Sequence, residues 1–130
     1  MQELYGQVQC IDESLAGTAL EHWNEKLVLA AKAIHRDLLC ASKFKQYFAD
    51  AGFEDIVETR FAWPINSWPR RKEDKILGLY HMTNMLDGIH GMSSRAMTKG
   101  LGMTTQEVEL LLVDVRKDLK TRSIHGYYPM

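Results

Sequence analysis

The side chains most able to do chemistry here are five histidines, two cysteines and a Gly-Leu-Gly step. His22, His35, His81, His90 and His125 form no pair at ligand spacing beside a cysteine or carboxylate, so no metal set is expected. His81 and His90 fall on opposite faces of a helix at 3.6 residues per turn. Cys10 and Cys40 each lie inside a hydrophobic pattern. They read as buried thiols of a reducing compartment, not as a disulfide framework. No Gly-x-Ser-x-Gly elbow and no Walker-type phosphate loop occurs, so covalent hydrolysis is unsupported. Gly100-Leu101-Gly102 stands just before a helix. A nucleotide-binding glycine loop must leave a strand and enter a helix, so that backbone donors face the ligand. Here a helical segment precedes it, and the step reads as a helix–helix turn. No catalytic, cofactor-binding or metal residue is assigned.

What remains is an aromatic and methionine-rich layer. Trp63 and Trp68 flank a proline-bounded loop, and Tyr80, His81, Met82, Met85, Met92 and Met97 follow. Such a layer suits a flexible lid over an apolar small molecule, or else it is plain core. On the lid reading the substrate-binding residues are Trp63, Trp68, Tyr80, His81 and Met85.

These residues need elements to place them. Leu4 to Ile11 is a short strand candidate, and Leu20, Trp23, Leu27, Ala30 or Ala31, Ile34 and Leu38 share one face of a helix from about Thr18 to Leu38. Ser42 is expected to cap a short helix with Phe44, Tyr47, Phe48 and Ala51 on one stripe, ended by Gly52. Phe53, Val57, Phe61 and Trp63 then alternate with Glu54, Glu58 and Arg60, predicting a strand with one wet face. Pro64 and Pro69 bracket a loop that should not continue the sheet. A second helical block starts near Ile76, and Gly88, Gly91, Gly100 and Gly102 are expected to break the region from Asp87 to Met103 into short pieces. Thr104 to Glu107 is a capping box that opens a helix with Val108, Leu111, Leu112, Val115 and Leu119 on its buried stripe. Ile124 to Tyr128 reads as the stub of a last strand. Two strands and a stub make a poor sheet, so the fold is expected to be a helix-rich α/β piece with an incomplete sheet.

The chain has 130 residues, enough for a single domain with a real core. Sixteen basic and seventeen acidic side chains nearly cancel, so nucleic acid is not an expected partner. No secretory signal and no membrane span is expected, which points to a cytoplasmic or nuclear protein.

Several blocks point to one family. Ala51-Gly52-Phe53-Glu54-Asp55-Ile56, the run Phe61-Ala62-Trp63-Pro64-Ile65-Asn66-Ser67-Trp68-Pro69, and Asn84-Met85-Leu86-Asp87-Gly88 resemble the fungal secondary-metabolism methyltransferases of the LaeA-like group. Leu101-Gly102-Met103, Glu107-Val108-Glu109, Val115 to Lys120 and Ile124-His125-Gly126-Tyr127-Tyr128-Pro129 follow in the same order. The resemblance runs from about Gly52 to Pro129, with weaker similarity from Asp12 to Ala51. Two positions depart from it: family members usually carry glycine where this chain has Asn66, and an acidic pair followed by glycine where it has Asp12-Glu13-Ser14.

The resemblance implies the C-terminal portion of a class I, Rossmann-like methyltransferase fold, with S-adenosylmethionine as methyl donor. Residues 1–130 would then be one partial domain: a late strand, helices, a strand, a helical substrate cover from Tyr80 to Met103, and a truncated antiparallel last strand. The glycine-rich loop and acidic residue that hold the donor belong to the N-terminal half of that fold and have no counterpart here. A chain of this kind is expected to be inactive alone, as part of an enzyme acting on a small-molecule metabolite. The alternative is a non-catalytic, regulatory interaction module, with a protein partner or a second copy on an exposed sheet edge. A third option is a stand-alone binder of an apolar metabolite.

Overall fold

Thr18 and Thr104 begin two helices in the same way, each through a hydroxyl that takes an otherwise orphaned backbone N–H. The computed structural model describes all residues, Met1 to Met130. Thr18 Oγ1 accepts from Glu21 N–H (3.1 Å) and opens α1, Ala19–Ala33. Thr104 Oγ1 accepts from Glu107 N–H (3.2 Å) while Glu107 Oε2 accepts from Thr104 N–H (2.8 Å), the reciprocal box that opens α4, Thr105–Lys120. Thr104→Ala is expected to cost about 1 kcal/mol in urea unfolding. The bonds from Thr104 hold the Glu107 carboxyl below its ordinary value of 4.5, so its contribution is present above that pH and lost as the pH falls through the folded value. Thr104→Ala should therefore flatten this part of the acid limb.

The apolar stripes of α1 and α4 are buried as their spacing predicts. Leu20, Trp23, Leu27 and Ala30 face Val108, Leu112, Val115 and Leu119 in one core. Against both packs α3, Lys72–Leu101, and it corrects the expectation of short glycine-broken pieces. It is one 30-residue helix with Met85, Ile89, Ser93, Ala96 and Met97 buried. Packing on both neighbours outweighs the roughly 1 kcal/mol that an interior glycine costs. At Gly100 a Cβ would lie 2.4 Å from the Ala30 carbonyl oxygen, so glycine lets α3 and α1 touch backbone to backbone. The helix stops at Gly102, which takes the left-handed conformation at φ 68°.

Other boundaries shift for identifiable reasons. Helix α1 ends at Ala33 rather than near Leu38, because His35 turns left-handed (φ 60°) and delivers the Leu38 carbonyl to Gly6 N–H (2.8 Å). Ile34 and Leu38 still pack against the core from the turn. A 3-10 turn, Cys40–Lys43, leads into α2, Phe44–Asp50. Ser42 does not cap α2; its hydroxyl donates to the Leu39 carbonyl instead (2.8 Å). No residue of α2 is buried, and Phe48 stacks edge-on against Phe53 at 5.4 Å. Both cysteines are half-buried free thiols rather than fully buried ones.

The sheet is small, antiparallel and three-stranded: β1, Gln9–Cys10; β2, Ala62–Pro64; and β3, Gly126–Pro129, in the order β1-β3-β2. The segment expected as a stub is its central strand. Gln9 faces Tyr127 on one side, and Trp63 and Pro64 face Tyr128 and Tyr127 on the other. The strand predicted over Phe53 to Trp63 shrinks to β2. Residues 53–60 have no partner strand and no buried face: Phe53 and Val57 are exposed and Asp55 is left-handed (φ 54°), so the expected strand with one wet face is not formed there, and the last backbone pair is Phe61 with Met130. Pro64, expected outside the sheet, lies within β2. An edge strand tolerates it because the missing N–H removes no ladder bond. The inner face of the sheet lies on the helices, and two buried amides fix its borders. Asn24 accepts from Val8 N–H (2.9 Å) and donates to Gly6 O (3.0 Å) and Tyr128 Oη (3.2 Å). Asn66 donates to Thr121 O (3.1 Å) and accepts from Trp68 N–H (3.0 Å).

Candidate functional site

The layer expected around Trp63 to Met97 is built from the cross-strand pair Trp63 and Tyr128, onto which α3 lowers His81. The His81 ring meets Trp63 edge-on at 5.7 Å and Tyr128 edge-on at 5.5 Å. Its Nδ1–H donates to the Pro64 carbonyl (2.9 Å), which leaves Nε2 as the unprotonated nitrogen of the neutral ring. Burial pushes the His81 pKa below its ordinary 6.5, and the backbone bonds oppose that only in part. Burial likewise pushes the Tyr128 phenol up, so both groups are neutral near pH 7. The unfolded chain takes up the His81 proton first on acidification. Stability linked to His81 is thus full above the unfolded value and lost as the pH falls from there toward the folded value. Urea midpoints between about pH 8 and about pH 5 should fall, and His81→Leu should flatten that slope.

The five sequence-predicted residues do not converge on one cavity. His81 and Met85 are interior side chains, and Tyr80 is 73% exposed. Trp63 and Trp68 do share a lining, in a cleft of about 530 Å³ between β2 and the start of α3. Trp68 is fixed by its Nε1–H on Gly126 O (2.8 Å) and leans over His125 at 5.3 Å. It also borders a larger cleft of about 960 Å³, walled by Phe44 and Phe48 of α2 and by Phe61 and Tyr127 at the sheet. The Phe44–Phe48 stripe was legible as a helix face, but nothing in its period says that the face is left open.

A second cluster gave no spacing signal at all. Asp12 accepts from Ser14 N–H (2.9 Å) and from the Cys10 thiol (3.1 Å), and its other oxygen takes His125 Nδ1–H (2.6 Å). Ser14 Oγ accepts from His125 N–H (2.8 Å). The Ser14 bonds, then those from Cys10 and His125, hold the Asp12 carboxyl far below the usual carboxylate range. Ser14, which stands where the resemblance implies glycine, thus clamps the end of β1 to the start of β3. Asn66, the other departure, is not left-handed, so its position makes no demand for glycine.

The Gly100–Gly102 step is a helix–helix turn. The N–H groups of Gly102 and Met103 both point to Met97 O, and Thr104 N–H is taken by Glu107. Its donors are therefore turned inward, and these residues do not fit a nucleoside-binding loop.

No family model and no solved structure matches the chain. Curated relatives do. "Probable methyltransferase tdiE" of Emericella nidulans is 30% identical over the whole chain, which spans 41% of that protein. Methyltransferase pytC of Aspergillus terreus is 29% identical over 78% of the chain and 32% of its own length. The chain is homologous to the LaeA-like fungal methyltransferases. A third relative, secondary metabolism regulator laeA of Monascus pilosus, is 26% identical over 96% of the chain and 34% of its own length. The chain therefore spans well under half the length of these curated relatives. No helix in it is long and apolar enough to cross a membrane.

Proposed function

We propose that this chain is the C-terminal, substrate-side part of an S-adenosylmethionine-dependent methyltransferase of fungal secondary metabolism, derived from an enzyme that acts on a small-molecule metabolite. The observation that carries this reading is the full-length homology of the chain to only two fifths of tdiE. The sheet supports a Rossmann-like parent. Strands β1 and β2 each run antiparallel to β3 and so run parallel to one another, joined by a helical crossover. Like-directed strands that share a sheet with an antiparallel one are compatible with the mixed sheets of doubly wound folds, although here the antiparallel strand β3 is central and β1 and β2 do not pair. On this reading Trp63 and Trp68 face the substrate, with His81 edge-on behind Trp63, while Met85 and Tyr80 do not line their cleft.

Methyl transfer requires donor sulfonium and nucleophile held in line, and a chain whose glycine-step donors face inward supplies no such hold on the donor. Incubated with methyl-labelled S-adenosylmethionine, the chain alone is expected to transfer no label to itself or to an added metabolite, whereas tdiE under the same conditions serves as the positive arm. Label transferred by the chain alone would refute the half-enzyme reading.

The laeA relatives named as regulators favour a second reading, an interaction module whose partner strand, from another protein or a second copy, pairs with the edge of β1. A stoichiometric complex that withstands purification would support it, and a monodisperse monomer that captures nothing would not.

A further inference from the structure

The cleft shared by Trp63 and Trp68 is lined by more cationic than anionic side chains. Three guanidinium groups, Arg60, Arg70 and Arg71, line it against one carboxylate, Asp74, in a chain whose acidic side chains outnumber its basic ones. Arg60 is engaged by Glu58 (2.5 Å), and Arg71 stands 3.7 Å from Asp74 and 3.9 Å from Glu73. Arg70 has no carboxylate partner and makes no side-chain hydrogen bond. Beside it are flat apolar walls that are already in place. The Trp68 indole is fixed on Gly126 O (2.8 Å), its backbone is fixed on Asn66, and Trp63 is wedged edge-on against His81. Pro64 and Pro69 stiffen the two ends of the loop that carries Trp68. Rigid aromatic walls lose little entropy on binding, and a free guanidinium presents two parallel donors to a planar carboxylate. Apolar walls with one convergent charged group are the usual composition of a small-molecule site.

We propose that this cleft binds a planar aromatic acid, with Arg70 taking the carboxylate and the Trp63 and Trp68 indoles taking the ring. The site stands whether or not the chain takes part in methyl transfer, because it uses no donor and no residue outside β2, its loop and the start of α3.

The test is a titration of the isotope-labelled chain with naphthoate, read on its three indole N–H resonances. Trp23 is 1% exposed with its Nε1–H on Ser93 (2.8 Å), so it serves as the internal control. Saturable shifts are expected at Trp63 and Trp68 and not at Trp23. Affinity should be about tenfold weaker for Arg70→Gln, an exposed substitution, and about tenfold weaker for the neutral naphthamide, the loss expected for one charge-assisted contact. No saturable shift at Trp63 and Trp68, or equal affinities for acid and amide, or an unchanged affinity in Arg70→Gln, would overturn the assignment.

Discussion

Gly78→Ala is expected to lower the unfolding free energy by about 3 kcal/mol, and Gly88→Ala, further along the same helix, to raise it by about 0.5–1 kcal/mol. A Cβ at Gly78 would lie 2.0 Å from the Asn66 carbonyl oxygen and 2.7 Å from its carbon. Those are backbone atoms of a loop that cannot retreat freely. Asn66 is tied to Thr121 O, and its neighbour Trp68 is tied to Gly126 O. One added methyl must either push α3 off β2 or break these bonds. A Cβ at Gly88 meets only the end of the flexible Met92 side chain, at 3.9 Å. There alanine gains helix propensity and loses nothing. Urea unfolding of both variants reads the difference. If α3 were broken near Gly88, as its glycines alone suggest, Gly88→Ala would not stabilise.

Asn24→Leu should cost about 3 kcal/mol, although leucine has the same branching as asparagine and is the more hydrophobic residue. The amide is 2% exposed and satisfies three separate groups: Val8 N–H, Gly6 C=O and the Tyr128 hydroxyl. Leucine leaves all three without a partner, in a place where burial already holds Tyr128 neutral. Tyr128→Phe removes only one of these bonds and should cost about 1 kcal/mol. The ordering is the test: if Tyr128→Phe costs as much as Asn24→Leu, the amide is not what ties β1 to the helices.

These two sites also show where sequence reasoning runs out. The stripes of α1 and α4 and the Thr104 capping box were legible, because each is written in residues three or four apart. The continuity of α3 was not. Gly88 and Gly91 argue locally for a break, and only the burial of Ile89, Ser93 and Met97 against two other helices overrides them. The place of β3 was hidden for the same reason. Its partners are Gln9 and Trp63, far away in the chain, and a short apolar run cannot announce that it is central. The Trp63–Trp68 loop was legible through its prolines and indoles. The burial of His81, the open wall at Phe44 and the clamp of Asp12 and Ser14 on His125 all depend on contacts between distant segments, so no spacing revealed them. The LaeA-like blocks were recognisable without the structure because they are unusual local strings in a fixed order.

The central claim concerns the methyl donor. If the chain is the substrate-side part of a methyltransferase, calorimetric titration of the purified 130-residue protein with S-adenosylhomocysteine should give no saturable heat. Tight one-to-one binding would mean that these residues grip a nucleoside after all, and would contradict the account.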